Sequence, residues 1–151
     1  MAGKEEALVE RWGDAFLSQD AGKAEAVIDA DRELDTMELE IEAAALELLA
    51  LQQPMARDLR FIVTTIKVTS DLERVGDHAV NIAERVMDMI ELPPVELPVD
   101  IARMAAAASA MVRRALESFV EGKADLAQAV LEMENVVARM RDKAFSRLAR
   151  K

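Results

Sequence analysis

The sequence has no cysteine and no tyrosine, and it has a single histidine and a single tryptophan. The absence of cysteine leaves the redox compartment undetermined. The N-terminus lacks the basic-then-apolar order of a signal peptide, so we expect a cytoplasmic protein. No apolar run approaches the roughly 18 residues of a membrane span, so the sequence predicts no membrane insertion.

The sequence also lacks the residue patterns that common catalytic sites require. It has no Glu-x-x-His pair of the kind that builds di-iron oxidase sites in helical bundles, and no glycine-rich loop that would cradle a phosphate. We therefore predict that the protein is not an enzyme, with a ferritin-like oxidase as the third-ranked alternative.

What remains is a composition suited to helices. Apolar residues make up 52% of the chain and charged residues 32%, and good helix formers dominate both groups. The apolar periodicity predicts an all-α fold, an antiparallel bundle of about five mostly long helices. The predicted helices cover residues 4–18, 23–51, 54–91, 100–120 and 124–150.

Each predicted helix carries an apolar side, and on the second helix it is a heptad seam formed by Ala30, Leu34, Met37, Ile41, Ala44, Leu48 and Leu51. On the third helix we expect this side to face the core, and its members are Phe61, Val68, Leu72, Val75, Ala79, Ile82, Val86 and Ile90. On the fifth helix, apolar residues recur at heptad spacing, and they are Leu126, Val130, Met133, Val137, Met140 and Ala144. Such a seam is normally covered on more than one side, so we expect the protein to form a homodimer through the hairpin of helices four and five.

The net charge of −10 is concentrated in residues 20–91, which hold 17 acidic and 7 basic residues, while the remainder of the chain is balanced. A nucleic-acid-binding protein needs a basic face, so we predict no nucleic-acid partner. Solubility alone explains such an excess about as well as a cation site or a basic protein partner does.

Four acidic residues are spaced so that they meet. Glu73 and Asp77 are neighbours on one helix, and the intervening Gly76 adds a second penalty to their repulsion. Asp35 and Glu73 each lie 19 residues from Pro54, and Asp31 and Asp77 each lie 23 residues from it. An antiparallel hairpin folded near Pro54 therefore brings all four carboxylates to one place. Protons, metal ions, or the arginines at positions 32 and 74 must then compensate their repulsion.

Oxygen ligands of this kind suit hard cations or iron. Asn81 follows Asp77 by one turn and is a candidate outer-shell partner. His78 points toward a basic row, and we interpret it as a surface histidine.

The chain contains a short internal sequence repeat. Gly22-Lys23-Ala24-Glu25 recurs as Gly122-Lys123-Ala124-Asp125, which indicates two repeats. Pro93, Pro94 and Pro98 mark the boundary between them. We predict a first helical repeat over residues 1–92, a proline-rich linker over 93–98, and a partial second repeat over 99–151.

The segments Gln53-Pro54-Met55-Ala56-Arg57-Asp58-Leu59-Arg60, Asp71-Leu72-Glu73-Arg74-Val75-Gly76-Asp77 and Asn81-Ile82-Ala83 resemble the PhoU family of phosphate-transport regulators. The resemblance implies two tandem three-helix bundles, each with an acidic motif that holds metal ions. It also implies a regulator of phosphate uptake that acts between a transporter ATPase and a sensor histidine kinase.

The sequence departs from that pattern in its second half. Helix six has no counterpart within the 151 residues, and Ala138 stands where the second repeat would have an acidic residue. The resemblance therefore carries over only the first metal site, formed by Glu73, Asp77, Asp31 and Asp35, with iron or zinc as the expected ion. The alternative is a metal-free helical scaffold whose acidic ridge binds a basic protein partner.

Overall fold

The computed structural model of the chain describes residues 7, 11, 13–90, 92 and 100–149, and every regular element among them is an α-helix. Residues 13–18 belong to the first helix, α1. The others are α2 (Ala21–Gln52), α3 (Ala56–Ile90), α4 (Ile101–Glu121) and α5 (Ala124–Leu148). The all-α prediction is confirmed. The predicted proline-rich linker and most of the predicted residues 4–12 lie outside the described residues, and the division into repeats stays a prediction.

Residues with known capping preferences set the helix ends. Asp20 caps α2 by accepting a hydrogen bond from the Lys23 N–H at 3.1 Å, and Asp100 caps α4 by accepting one from the Arg103 N–H at 2.9 Å. Gly122 ends α4 in the left-handed region, with φ of 65°. Gln53 ends α2 in that region as well, with φ of 45°, directly before Pro54.

Helices α2 and α3 pack together, as do α4 and α5. Each pair is antiparallel, since a short connection joins its members. Among α2 to α5, no other pair brings its backbones equally close. Across the space between α3 and α4, the Phe61 and Phe119 rings stack with centroids 5.6 Å apart. Farther along this space lie two cavities, of about 260 and 320 Å³, lined mostly by apolar side chains.

The buried core lies toward the end of the α2–α3 hairpin that is remote from Pro54. Its members come from α1, α2 and α3, and they are Ala15, Ala24, Val27, Leu34, Ala79, Ala83 and Val86. Most are small residues, which lets the helices approach closely. No residue of α5 is buried among those described, and its heptad seam is only half-buried.

The predicted core side of α3 is correct for part of its length. Ala79 and Val86 are buried, and the middle of the stripe is half-buried. Phe61 and Ile90, at its two ends, are exposed, so placing them in the core was wrong. Phe61 is exposed because α4 lies too far from α3 to cover the ring, and the contact of Phe61 with α4 is its stacking on Phe119. None of the helices described here is both long and apolar enough to cross a membrane.

Candidate functional site

The register of the α2–α3 hairpin brings Asp31, Asp35, Glu73 and Asp77 together, as predicted, and we call this set the acidic patch. Burial raises the pKa of Asp31 from 3.8 to about 6, and the nearby charges of Asp35 and Asp77 add to the rise. Burial also raises the pKa of Glu73, with further contributions from Asp77, Glu38, Asp35 and Asp31 in that order. Carboxylates from both helices therefore interact electrostatically across the hairpin.

Gly76 provides the space in which the Asp31 carboxylate sits. A Cβ atom at position 76 would collide with Asp31 Oδ1, and it would also lie 3.6 Å from Asp31 Cγ and 3.7 Å from Leu34 Cδ1. Gly76 is itself buried. The glycine that weakens α3 as a helix thus lets a carboxylate of α2 rest against its backbone.

The arginines that sequence reasoning offered as compensating charges pair elsewhere. Arg32 binds Asp29 at 2.9 Å, one turn back on its own helix. Arg74 lies 3.6 Å from Asp71, again within its own helix. Both pairs are well exposed, so they contribute little to stability. Neither arginine forms a salt bridge to the acidic patch among the described side chains. The negative charges of the acidic patch are therefore not compensated by these two arginines.

The two further residues considered from the sequence lie on the surface of α3. The Asn81 side-chain amide donates to the Asp77 backbone carbonyl at 2.7 Å, which holds Asn81 beside the acidic patch. His78 is exposed and lies at the edge of the cavity between α3 and α4, on the other side of the helix from the acidic patch.

The acidic patch offers the carboxylate ligands of a cation site, but its side chains do not converge on one point. In the part of the chain that the structure describes, no three or more His, Asp or Glu side chains converge to hold a metal ion as they stand. Carboxylate oxygens are nevertheless the ligands that hard cations take in proteins. The sequence did not predict that Gly76 makes room for the Asp31 carboxylate, although a glycine between two acidic residues in a helix interior pointed to a special role for this position.

The PhoU domain family model matches residues 1–86 and 101–151. The phosphate-specific transport system accessory protein PhoU homologue of Aquifex aeolicus is 37% identical over 137 residues, covering 91% of this chain and 62% of that protein. The homologue of the same name from Clostridium acetobutylicum is 35% identical over 136 residues, covering 89% of this chain and 62% of that protein.

The crystal structure of PhoU from Pseudomonas aeruginosa superposes with a TM-score of 0.92 at 32% sequence identity, covering 99% of this chain and 72% of that chain. The chain spans about 62% of the length of the Aquifex and Clostridium relatives. Because the family model covers nearly all of its residues and the fold agrees throughout, the chain belongs to the PhoU family.

Proposed function

We propose that this chain is a regulatory adaptor of phosphate uptake that binds metal ions at its acidic patch and acts without turning over a substrate. The observation that carries the metal proposal is that four carboxylates of α2 and α3 interact electrostatically, with Asp31 resting against Gly76 and with neither Arg32 nor Arg74 salt-bridged to them among the described residues. Burial is the main cause of the raised pKa of Asp31 and of Glu73, and bound iron or zinc would neutralise the repulsion between carboxylates that adds to it. Membership of a family whose named relatives are transport accessory proteins supports the regulatory role.

The proposed partners are proteins. They are the ATPase of a phosphate transporter and a sensor histidine kinase, both met on the cytoplasmic side of the membrane, and the adaptor itself is proposed to act as a homodimer. A pull-down from a phosphate-replete cell extract should recover one of the two. Recovery of neither, or metal-dependent hydrolysis or oxidation by the purified protein, would contradict the regulatory proposal.

Metal binding has its own experiment. We expect elemental analysis, after purification without chelators or a metal-affinity tag, to find iron or zinc in the wild-type protein. The double variant Glu73→Ala/Asp77→Ala should lose most of that metal while keeping its helical circular dichroism.

The control is Glu84→Ala/Asp88→Ala, which removes two carboxylates at the same i, i+4 spacing from exposed positions of the same helix. Its metal content should match the wild type. Equal loss in both variants, or no loss in either, would remove the acidic patch as the metal site.

The second candidate function is a metal-free scaffold whose acidic ridge binds a basic protein partner. It is favoured by the absence, among the described side chains, of three or more ligands converging on one point. A metal-free protein that still recovers a partner through the acidic patch would support it.

A further inference from the structure

The space between α3 and α4 is an apolar groove that the described residues leave open. Its two cavities, of about 260 and 320 Å³, lie end to end and share Val75 and Val112 among their lining residues. Both cavities are open to solvent, and the stacked rings of Phe61 and Phe119 lie at the end of the space nearer Pro54. We call this space the interhelical groove.

Both walls of the interhelical groove present apolar side chains at the spacing used in helix packing. On α3, the apolar lining residues recur at separations of 4, 3, 4 and 3, and they are Val68, Leu72, Val75, Ala79 and Ile82. On α4, they recur at every third or fourth residue from Ala108 to Phe119. Most are half-buried, and such rows interdigitate with a further helix. The α3 row is about 21 Å long, so an occupant helix needs about 14 residues to cover it.

One edge of the interhelical groove carries cations, which we call the basic edge: Arg60, Lys67, Arg74 and Arg85. All four are exposed on α3, and at 100° per residue they point within about 40° of one another. By the same geometry, Arg60 points in the direction of His78, and His78 lines the second cavity. The basic edge therefore borders the groove along α3.

The basic edge and the acidic patch lie on different sides of α3. Gly76, which contacts Asp31 of α2, points about 80° from the middle of the apolar row, and the basic edge points about 100° from it in the other direction. Glu73 and Asp77 point about 140° and 180° away from the row. The carboxylates proposed to hold metal therefore take no part in the interhelical groove.

The basic edge has positive charge to offer a partner, although the whole chain has a net charge of −10. Arg74 and Arg85 pair with aspartates one turn away on α3, at 3.6 and 3.0 Å. Arg60 and Lys67 form no salt bridge to any residue that the structure describes. The part of the groove nearer Pro54 is therefore flanked by two cations without a carboxylate partner among the described residues.

Shape and charge distinguish between the possible occupants. A bilayer surface is flat and does not reach side chains that line a groove between two helices. The sparsely buried α4–α5 hairpin of a second copy holds 6 acidic and 8 basic residues over 101–148, so it brings the same sign of charge as the basic edge. A helix with one apolar face and acidic residues beside that face matches both the groove and its edge. The α5 edge presents both signs, in Glu134 and Arg141, and does not select a charge.

We propose that the interhelical groove docks an amphipathic helix of a partner protein, about 14 residues long, with apolar side chains at heptad spacing and acidic side chains beside Arg60 and Lys67. The partner's apolar side chains fill the two cavities, while its backbone lies across the mouth of the groove. The inference rests on the proposed function only in assuming a protein partner, and it does not depend on metal binding.

The probe is a fluorescein-labelled 18-residue peptide with leucines at heptad spacing and glutamates beside them, and its binding to the full chain is measured by fluorescence anisotropy. One control peptide has lysines in place of the glutamates, and another has glutamines in place of the leucines. We expect both controls to bind at least about tenfold more weakly. Because the chain is acidic overall, non-specific attraction would favour the lysine peptide instead.

Protein variants on α3 test each wall of the proposed site. Leu72→Gln should weaken binding of the glutamate peptide about tenfold. Its matched control is Ile66→Gln, which changes a half-buried side chain that points about 160° away from the apolar row.

The basic edge has its own pair of variants. Arg60→Gln/Lys67→Gln should weaken binding of the glutamate peptide about three- to tenfold, since exposed ion pairs are individually weak. Lys23→Gln/Arg139→Gln makes the same change in net charge at exposed positions of α2 and α5. Both controls should bind like the wild type, and circular dichroism should show that all variants are helical.

A glutamate peptide that binds no better than the lysine peptide would overturn the proposal, as would equal effects of the groove variants and their controls. Loss of self-association in Leu72→Gln by light scattering would assign the groove to a second copy. Binding to vesicles of phosphatidylcholine and phosphatidylglycerol that is lost in Arg60→Gln/Lys67→Gln would assign the basic edge to a membrane. Each of these results leaves the elemental analysis and the pull-down to decide the proposed function separately.

Discussion

At the scale of single residues, the acidic patch works against stability at neutral pH. Asp31 is half-buried near two other carboxylates, and its pKa rises from 3.8 to about 6. The folded state therefore binds a proton at Asp31 more tightly than the unfolded state does. This stabilises the fold fully below pH 3.8, and the stabilisation is lost as pH rises through about 6. In the metal-free protein, neutral pH leaves a charge there that the fold does not favour.

We predict that Asp31→Asn stabilises the metal-free protein, kept in chelator, at pH 7.5. The variant's free energy of unfolding should also change less with pH between pH 4 and 6. A gain of about 1 kcal/mol is expected after discounting for solvent screening, because the carboxyl is only partly buried. Urea unfolding across this pH range measures it. Asp29→Asn makes the same change in net charge at an exposed position of α2. An equal gain from Asp29→Asn would show that total charge, and not the acidic patch, causes the effect.

Gly76 gives a second test at the same scale, through the contact between its backbone and Asp31. Gly76→Ala should displace the Asp31 carboxylate, because the new Cβ would occupy its place. Metal affinity, measured by titration calorimetry, should fall, while the gain in helix propensity of up to about 1 kcal/mol offsets the steric cost to stability.

A double-mutant cycle isolates the contact between positions 31 and 76. In the background of Asp31→Ala, the collision with the carboxylate is absent, so Gly76→Ala should stabilise the protein by up to about 1 kcal/mol. If Gly76→Ala has the same effect on stability in both backgrounds, the contact with Asp31 is not what position 76 accommodates.

The sequence predicted which acidic residues meet, and it did not predict how they are held. Equal offsets about Pro54 were sufficient to pair Asp31 with Asp77 across an antiparallel hairpin. The choice between arginines and other compensation depends on rotamers, and here Arg32 and Arg74 pair along their own helices. The role of Gly76 depends on the distance between two helix backbones, which spacing along one helix does not give.

At the scale of elements, helix boundaries followed closely from local chemistry, while burial did not. Asp100, Gly122 and Pro54 lie at or next to helix ends in the structure, because capping and steric exclusion act within a few residues. Periodicity identifies the apolar side of α3 but not what covers it, which is why Phe61 was misplaced. Thr69 is buried although polar, and its hydroxyl donates to the Thr65 carbonyl at 2.9 Å.

Helix α2 ends at Gln53, whose φ is positive. The backbone of Gln53 lies in the left-handed region. A residue with a side chain pays roughly 1 kcal/mol for that conformation, and glycine does not. Gln53→Gly should therefore stabilise the protein by about 0.5–1 kcal/mol, while Gln52→Gly, one residue earlier and still helical, should destabilise it by up to about 1 kcal/mol. Opposite signs in thermal unfolding are the expected result, and a loss of stability from Gln53→Gly would contradict the argument.

At the scale of the whole molecule, the two helical hairpins differ in how well they are covered. The α2–α3 hairpin contributes most of the buried core, together with α1. The α4–α5 hairpin buries only Ala105 and Ser109, both on α4, among its described residues. Its heptad seam, from Leu126 to Ala144, is half-buried along its length. Covering that seam would gain roughly 25 cal/mol for each Å² of apolar surface removed from water.

We predict that the protein forms a symmetric dimer in which the α4–α5 hairpins of two copies pack together. Two-fold dimers are the commonest closed assemblies, and a four-helix arrangement would cover both seams. Light scattering at micromolar concentration should give a mass of roughly twice the 16.7 kDa of one chain. A charge placed in the seam, as in Val137→Glu, should weaken the dimer far more than the charge reversal Asp77→Lys in the acidic patch. A monomer at these concentrations, or a dimer equally sensitive to both variants, would place the contact elsewhere or exclude it.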